Sequence, residues 1–254
     1  MARLGADASS KTPQITLIFW IIKILATTLG ETGGDAVSMS MDLGYAVSSG
    51  IFITLFLGAV AAQVAAHRLH PALYWTVIVA TTTAGTTMAD FADRSLGIGY
   101  VGGSLVLLAL VLLSLGLWRA VVGSVSVAQI TSRRVEIFYW VTILFSNTLG
   151  TALGDYVADE SGLGFQGAAL VFAGALALVA CAYAFTKVSR DLLFWLAFIL
   201  TRPLGATVGD LLTKAHEEGG LDLSRFGSAA IIALAMIGCI VYAARTAARP
   251  QPAQ

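Results

Sequence analysis

The sequence predicts an all-α integral membrane protein with eight transmembrane helices, built as four tandem parallel hairpin repeats in two pseudo-symmetric halves. Three observations predict this. The 254 residues are 57% hydrophobic and 12% charged, whereas a soluble domain carries roughly a quarter charged residues. Eight apolar runs follow one another, and at about 20 residues per span they leave room for connections but not for a second domain. One pattern of Trp, Gly and Asp also returns four times at fixed spacing, the signature of a repeat architecture.

In order, the spans fall near 14–36, 45–66, 72–92, 99–119, 135–157, 164–186, 191–213 and 226–245. Residues 1–13 read as a polar cytoplasmic tail. Lys23 interrupts the apolar run that follows, and no small-residue cleavage site ends it, so a cleaved signal peptide is not expected. Repeat 1 takes residues 14–66 and repeat 2 residues 67–119, a linker spans 120–134, and repeats 3 and 4 take 135–186 and 187–245. The Pro-containing segment 246–254 reads as a disordered tail.

The repeat is counted from its tryptophan. Phe19-Trp20, Tyr74-Trp75, Tyr139-Trp140 and Phe194-Trp195 open the four units. Ten positions later come Gly30, Gly85, Gly150 and Gly205, and fifteen positions later Asp35, Asp90, Asp155 and Asp210. A second helix opens at Tyr45, Tyr100, Phe165 and Phe226, delayed in the fourth unit by an insertion around His216–Gly220. Trp20 and Trp140 are 120 positions apart, as are Trp75 and Trp195, which pairs the units into halves. Units 1 and 3 share Thr-Leu-Gly, and units 2 and 4 share a base nineteen after the Trp (Arg94, Lys214). With an even number of spans per unit, all four units point the same way.

Charge gives the orientation. The side carrying the termini has ten basic residues against three acidic ones, and the opposite side three against twelve. The positive-inside bias then puts both termini in the cytoplasm. A net charge of zero provides no basic surface for nucleic acid, so the expected partner is the lipid bilayer.

On each odd-numbered helix the positions seven, eleven, fifteen and nineteen after the Trp line one face. They read Thr27-Glu31-Asp35-Met39, Thr82-Thr86-Asp90-Arg94, Asn147-Thr151-Asp155-Asp159 and Arg202-Ala206-Asp210-Lys214. Such a face does not meet lipid, and four of them predict a funnel open to the outside. Gly30/Gly34, Gly85/Ala89, Gly150/Gly154 and Gly205/Gly209 are small residues four apart, where helices approach closely. The odd helices should therefore surround a common axis with the even helices outside.

Two cations lie deeper, Lys23 and Arg202. An unpaired charge there is costly, so Arg202 should reach Glu31 or a neighbouring aspartate, with Lys23 facing an inner vestibule. A ring of Asp35, Asp90, Asp155 and Asp210 offers oxygen ligands suited to a hard divalent cation; a structural role for the same residues is the competing reading. No phosphate-cradling loop, His-Glu-x-x-His or Ser/His/Asp signature is present, so neither enzyme activity nor a cofactor is expected. Cys181 and Cys239 sit in apolar runs and read as packing residues, and His67, His70 and His216 as loop residues.

Residues 19–35, Phe-Trp-Ile-Ile-Lys-Ile-Leu-Ala-Thr-Thr-Leu-Gly-Glu-Thr-Gly-Gly-Asp, and 201–206, Thr-Arg-Pro-Leu-Gly-Ala, carry a resemblance to a family. The chain resembles, over about residues 14–245, bacterial inner-membrane proteins of four tandem two-helix repeats, each with a characteristic Trp. They are described as a repeat of unknown function or as uncharacterised membrane-anchored proteins. The resemblance implies the fold and a bacterial inner-membrane location and supplies no substrate.

The residues themselves favour a transporter or exporter of a small cation, preferably divalent. Asp35, Asp90, Asp155 and Asp210 would be the outer site, with Glu31 and Asn147 below it and Arg202 and Lys23 as internal counter-charges. The alternatives are a non-transporting scaffold or sensor with a structural polar core, and an anion or organic-solute permease using Lys23 and Arg202. A water-accessible funnel would favour transport; a closed, fully paired core would favour the scaffold.

Overall fold

The computed structural model describes residues 11–66 and 68–247, so most of the two expected tails, and His67, lie outside the described residues. Eight long helices follow in order: α1 (Leu17–Asp35), α2 (Gly44–Ala65), α3 (Pro71–Asp90), α4 (Tyr100–Val122), α5 (Arg133–Asp155), α6 (Gly164–Phe185), α7 (Arg190–Thr213) and α8 (Arg225–Ala247). Among the described residues there is no strand. Local chemistry starts these helices: Pro71 occupies the first turn of α3, where its missing N–H is no loss. Ser132 and Ser189 accept from the backbone N–H three residues on, capping α5 and α7.

At the other end, α1, α3 and α5 run from their aspartate directly into a five-residue π-helical turn, at Ala36–Ser40, Phe91–Ser95 and Tyr156–Glu160. The chain then enters α2, α4 and α6 through Gly44, Gly99 and Gly164, at φ of 71°, 76° and 64°, a region that favours glycine. The fourth unit departs. Its helix stops at Thr213, and the insertion forms a 3₁₀ turn over His216–Glu218 before α8.

Seven of the eight helices are long and apolar enough to cross a membrane. The eighth, α3, carries six threonines, and several donate to a carbonyl one turn back, as in Thr83 to Val79 at 2.9 Å and Thr87 to Thr83 at 3.3 Å. Its polarity is satisfied inside the helix and against its neighbours.

The odd helices form a closed ring, α1 against α3, α3 against α5, α5 against α7 and α7 against α1. The even helices lie outside it, but not as hairpins on their own partners. Instead, α2 packs on α3, α4 on α5, α6 on α7, and α8 returns to α1. The two helices of a unit separate beyond their connection, and the outer face of each odd helix is taken by the even helix of the preceding unit. Each even helix therefore staples its unit to the next.

The glycines make the ring tight. A methyl group at Gly30 would overlap Thr82, at Gly150 the stem of Arg202, and at Gly205 Thr27; at Gly85 it would stand 3.0 Å from the Thr148 backbone nitrogen. In each case the glycine ten after one Trp receives the residue seven after the next Trp, or its neighbour. Thr82 and Thr27 use the proximity to donate across the seam, to Ala26 O at 3.2 Å and Thr201 O at 3.1 Å.

An aromatic layer closes the ring at the end carrying the termini. Phe19 meets Trp75 at 5.3 Å between centroids, Tyr74 meets Trp140 at 5.6 Å, Tyr139 meets Trp195 at 6.2 Å and Phe194 meets Trp20 at 5.6 Å. Each unit thus hands its aromatic pair to the next around a full circle. Residues just before α1 are tied down here: Lys11 Nζ lies 2.7 Å from Glu136 Oε2 and reaches the Val64 carbonyl at 3.2 Å. The outer faces of the even helices are apolar and exposed, with Leu57, Leu105, Leu170 and Leu234 among them. Cys181 lies on such a face instead of in packing, while Cys239 is half-buried against the core.

Candidate functional site: the polar axis

The ring brings the polar faces of all four odd helices onto one axis, in layers four residues apart, about 6 Å at 1.5 Å per residue. Starting from the terminal end, the layers are Phe19/Tyr74/Tyr139/Phe194, Lys23/Ile78/Ile143/Phe198, Thr27/Thr82/Asn147/Arg202, Glu31/Thr86/Thr151/Ala206 and Asp35/Asp90/Asp155/Asp210. All twenty are buried. Met39, Arg94, Asp159 and Lys214 complete the acidic end.

Arg202 crosses the axis. From α7 its Nη2 donates to Glu31 Oε2 on α1 at 2.8 Å, to Thr151 Oγ1 on α5 at 2.7 Å and to Thr86 Oγ1 on α3. One guanidinium nitrogen therefore joins its helix to the other three. Thr86 also donates to Glu31 Oε2 at 3.2 Å. The expected pairing with Glu31 is present. Pro203, which follows, removes a helix hydrogen bond and seats its ring near Gly150.

The four aspartates converge but do not form one equivalent ring. Lys214 Nζ lies 3.1 Å from Asp35 Oδ2 and 3.3 Å from Asp210 Oδ1. Arg94 lies 3.1 Å from Asp90, 3.7 Å from Asp155 and 3.8 Å from Asp159. Each base bridges its own aspartate to that of the next unit, dividing the four into two pairs. The four aspartates expected to share one ion are thus divided between two bases. Among the described residues, the acids that come within one ion's reach are Glu31, Asp35 and Asp210, with an oxygen of each within 4.8 Å of the others. Asp90 and Asp155 lie outside that group and are bridged by Arg94. Arg225 adds a weaker approach to Asp35 at 3.9 Å.

Burial opposes charge on Lys214, but the Asp210 and Asp35 carboxylates outweigh it and hold the ammonium well above the ordinary lysine range. Lys214 meets Asp210 Oδ1 as an ion pair at 3.3 Å, one turn along the chain.

The expected open funnel is also corrected. A cavity of about 400 Å³, lined by residues including Met39, Arg94, Asp159, Lys214 and Glu218, opens at the acidic end. It stops at the two bases, Arg94 and Lys214, which lie against the aspartates. Lys23 faces no inner vestibule, since the aromatic layer lies beneath it, with Tyr74 and Tyr139 hydroxyls 2.5 Å apart. Asn147 accepts from Lys23 at 3.4 Å and donates to Thr81 Oγ1 at 2.6 Å.

Sequence reasoning stopped the stripe at the Thr27 layer and missed the two layers below. The same four-residue step, taken backwards through Lys23 to Phe19, would have found them. It also left Arg94 and Lys214 without a role, although each stands four residues after an aspartate, at ion-pair spacing on a helix. Thr86 and Thr151 as ligands of Arg202 carried no signal beyond their place in the stripe.

The sequence model of a family described as Repeat of Unknown Function (DUF347) matches residues 18–68, 73–123, 138–189 and 193–249, each segment holding one odd helix and the even helix after it. No curated protein and no solved structure matches the chain.

Proposed function

The chain belongs to this repeat family, and from that premise we propose that it is a multi-pass carrier for a small cation, a divalent metal ion foremost. It would lie in a bacterial inner membrane with both termini cytoplasmic, as the split of basic residues between the two ends supports. The observation that carries the reading is the cluster of Glu31, Asp35 and Asp210 below the outer cavity, within one ion's reach of each other and held by Lys214 and Arg202.

Stability alone is a poor reason for such a core, because replacing buried ion pairs with packed apolar residues is often neutral or stabilising. Charges at membrane depth mark ion pathways more often than struts. In the proposed cycle a cation entering the cavity displaces the Lys214 ammonium from Asp35 and Asp210, then competes with Arg202 for Glu31. Pro203, inside α7, removes a helix hydrogen bond and gives that helix a place to bend against α1 and α5. No nucleotide-binding motif is present in the sequence, so an ion gradient or a partner would supply the driving force.

Thermal unfolding in detergent tests this with Mg²⁺, Ca²⁺, Mn²⁺, Co²⁺, Ni²⁺ and Zn²⁺, since a bound ion stabilises by mass action. The right ion should raise the midpoint at pH 7.5 and much less at pH 5, where protons compete for the carboxylates. Asp35→Asn and Asp210→Asn should abolish the shift, and Asp90→Asn should weaken it less. If none of the six ions gives a shift that depends on Glu31, Asp35 or Asp210, the cation reading fails.

The closed axis below the aspartates favours a second reading, a scaffold whose polar core fixes helix register. On that reading the Asn variants lose folded protein and no ion has an effect. Orientation is tested separately, after Cys181 and Cys239 are replaced: a single cysteine at Ser161 should react with an impermeant thiol reagent from outside, and one at Ser132 should not.

A further inference from the structure

The inner half of the axis carries two cations and one carboxylate. Lys23 is fully buried in a layer whose other members are Ile78, Ile143 and Phe198. Its Nζ has Asn147 Oδ1 at 3.4 Å and the Phe198 ring centroid at 4.2 Å, and among the described residues no ion pair within 4.0 Å involves it. Arg202 turns Nη2 outward to Glu31, Thr86 and Thr151, while its Nε and Nη1 are buried without an acceptor. Ser146 Oγ is buried and unpartnered as well. In the repeat, Ser146 stands to Arg202 as Thr81 stands to Asn147, and Thr81 touches Asn147 directly at 2.6 Å.

Glu31 answers one of the two positive charges. The aspartates cannot answer the other, because they lie twelve residues further along the helices, about 18 Å at 1.5 Å per residue, and are engaged by Lys214 and Arg94. With Lys23 protonated, one positive charge at membrane depth has no carboxylate to answer it, where such a charge ordinarily finds a partner. Arg202 Nε and Nη1, and Ser146 Oγ at the position that matches Thr81 in the repeat, are buried donors with nothing to donate to, which is the inverse of a cation site.

We propose that a small monovalent anion of halide size binds between Lys23 and Arg202, held by the Lys23 ammonium, Arg202 Nε and Nη1 and the Ser146 hydroxyl. The charge balance sets its valence. The spacing of about 6 Å between layers, with the buried Phe198, Ile78 and Ile143 in the Lys23 layer, favours a small ion over an organic solute. Such an anion would also make the inner half of the axis neutral toward a passing cation. The proposal does not rest on the cation site.

The test uses the purified full-length protein without divalent ions, with sodium gluconate exchanged for sodium chloride, bromide or nitrate at constant ionic strength. Chloride and bromide should raise the unfolding midpoint saturably, as mass action requires, and gluconate should not. Ser146→Ala should weaken the apparent anion affinity at least tenfold. Lys23→Met should lose the response and, freed of an unmatched charge, unfold no earlier in gluconate than the wild type does. In crystals grown with bromide, the anomalous signal should lie between Lys23 and Arg202. Equal midpoints in chloride and gluconate would overturn the proposal, as would a Lys23→Met variant that keeps the full response or fails to fold. Asp35→Asn should keep the anion response while losing any cation response, which separates this site from the outer one.

Discussion

The two ends of the same four-helix axis obey different symmetries. At the terminal end the four units are interchangeable: each passes an aromatic side chain to the Trp of the next, and the circle closes with centroid distances of 5.3–6.2 Å. At the acidic end the fourfold pattern collapses to twofold, because only units 2 and 4 carry a base, and each base claims two aspartates. Apolar contacts are short-ranged and non-directional, so four equal packing contacts can coexist. Four equal buried carboxylates repel one another, and their cations must be shared out in pairs.

Arg202, at the boundary between these regimes, should be the most sensitive position. Arg202→Met leaves Glu31 buried without its cation, a loss of roughly 3–5 kcal/mol, read as little folded protein in detergent. Adding Glu31→Gln should restore most of it. An Arg202→Met variant of wild-type stability would remove the boundary altogether.

Next in size are the seams. Gly30→Ala and Gly205→Ala push a methyl group into Thr82 and Thr27, and overpacking of this kind costs typically about 1–3 kcal/mol. Gly33→Ala, with open space beside it, should be neutral or stabilise by up to roughly 1 kcal/mol through helix propensity. Equal melting of Gly30→Ala and Gly33→Ala would show that the seam does not govern the ring.

Smaller effects probe each end. At the aromatic end Tyr74→Phe removes the hydroxyl pair with Tyr139 and leaves a buried hydroxyl unpartnered, worth about 1–3 kcal/mol at most. At the acidic end the two bases should differ. Lys214, nearly buried, should cost more to replace with Met than Arg94, whose side chain is 34% exposed; for Arg94 solvent screening limits the loss to about 1 kcal/mol. Equal losses at Lys214 and Arg94 would mean that the two aspartate pairs are energetically the same, whatever their depth.

Composition and spacing alone carried the helix count, the order of the elements, the repeat and the polar stripe, since each depends on local hydrophobicity and on the 3.6-residue period. Asp35, Asp90, Asp155 and Asp210 were found because they recur at one offset, and Arg202 with Glu31 because a deep charge needs a partner. The ring of odd helices was also legible, from small residues repeated beside the stripe.

Only the tertiary structure decided which unit each helix leans on. The connection between α1 and α2 suggests a hairpin, but sequence adjacency does not say which neighbour buries more surface, and α2 packs on α3. It also decided that Lys214 and Arg94 close over the aspartates, that Glu31 joins Asp35 and Asp210 instead of all four aspartates meeting, and that Lys23 has no carboxylate. Periodicity places a side chain on a face; which charges share that space depends on how four faces rotate toward one axis, a property of the assembled ring and of no single helix.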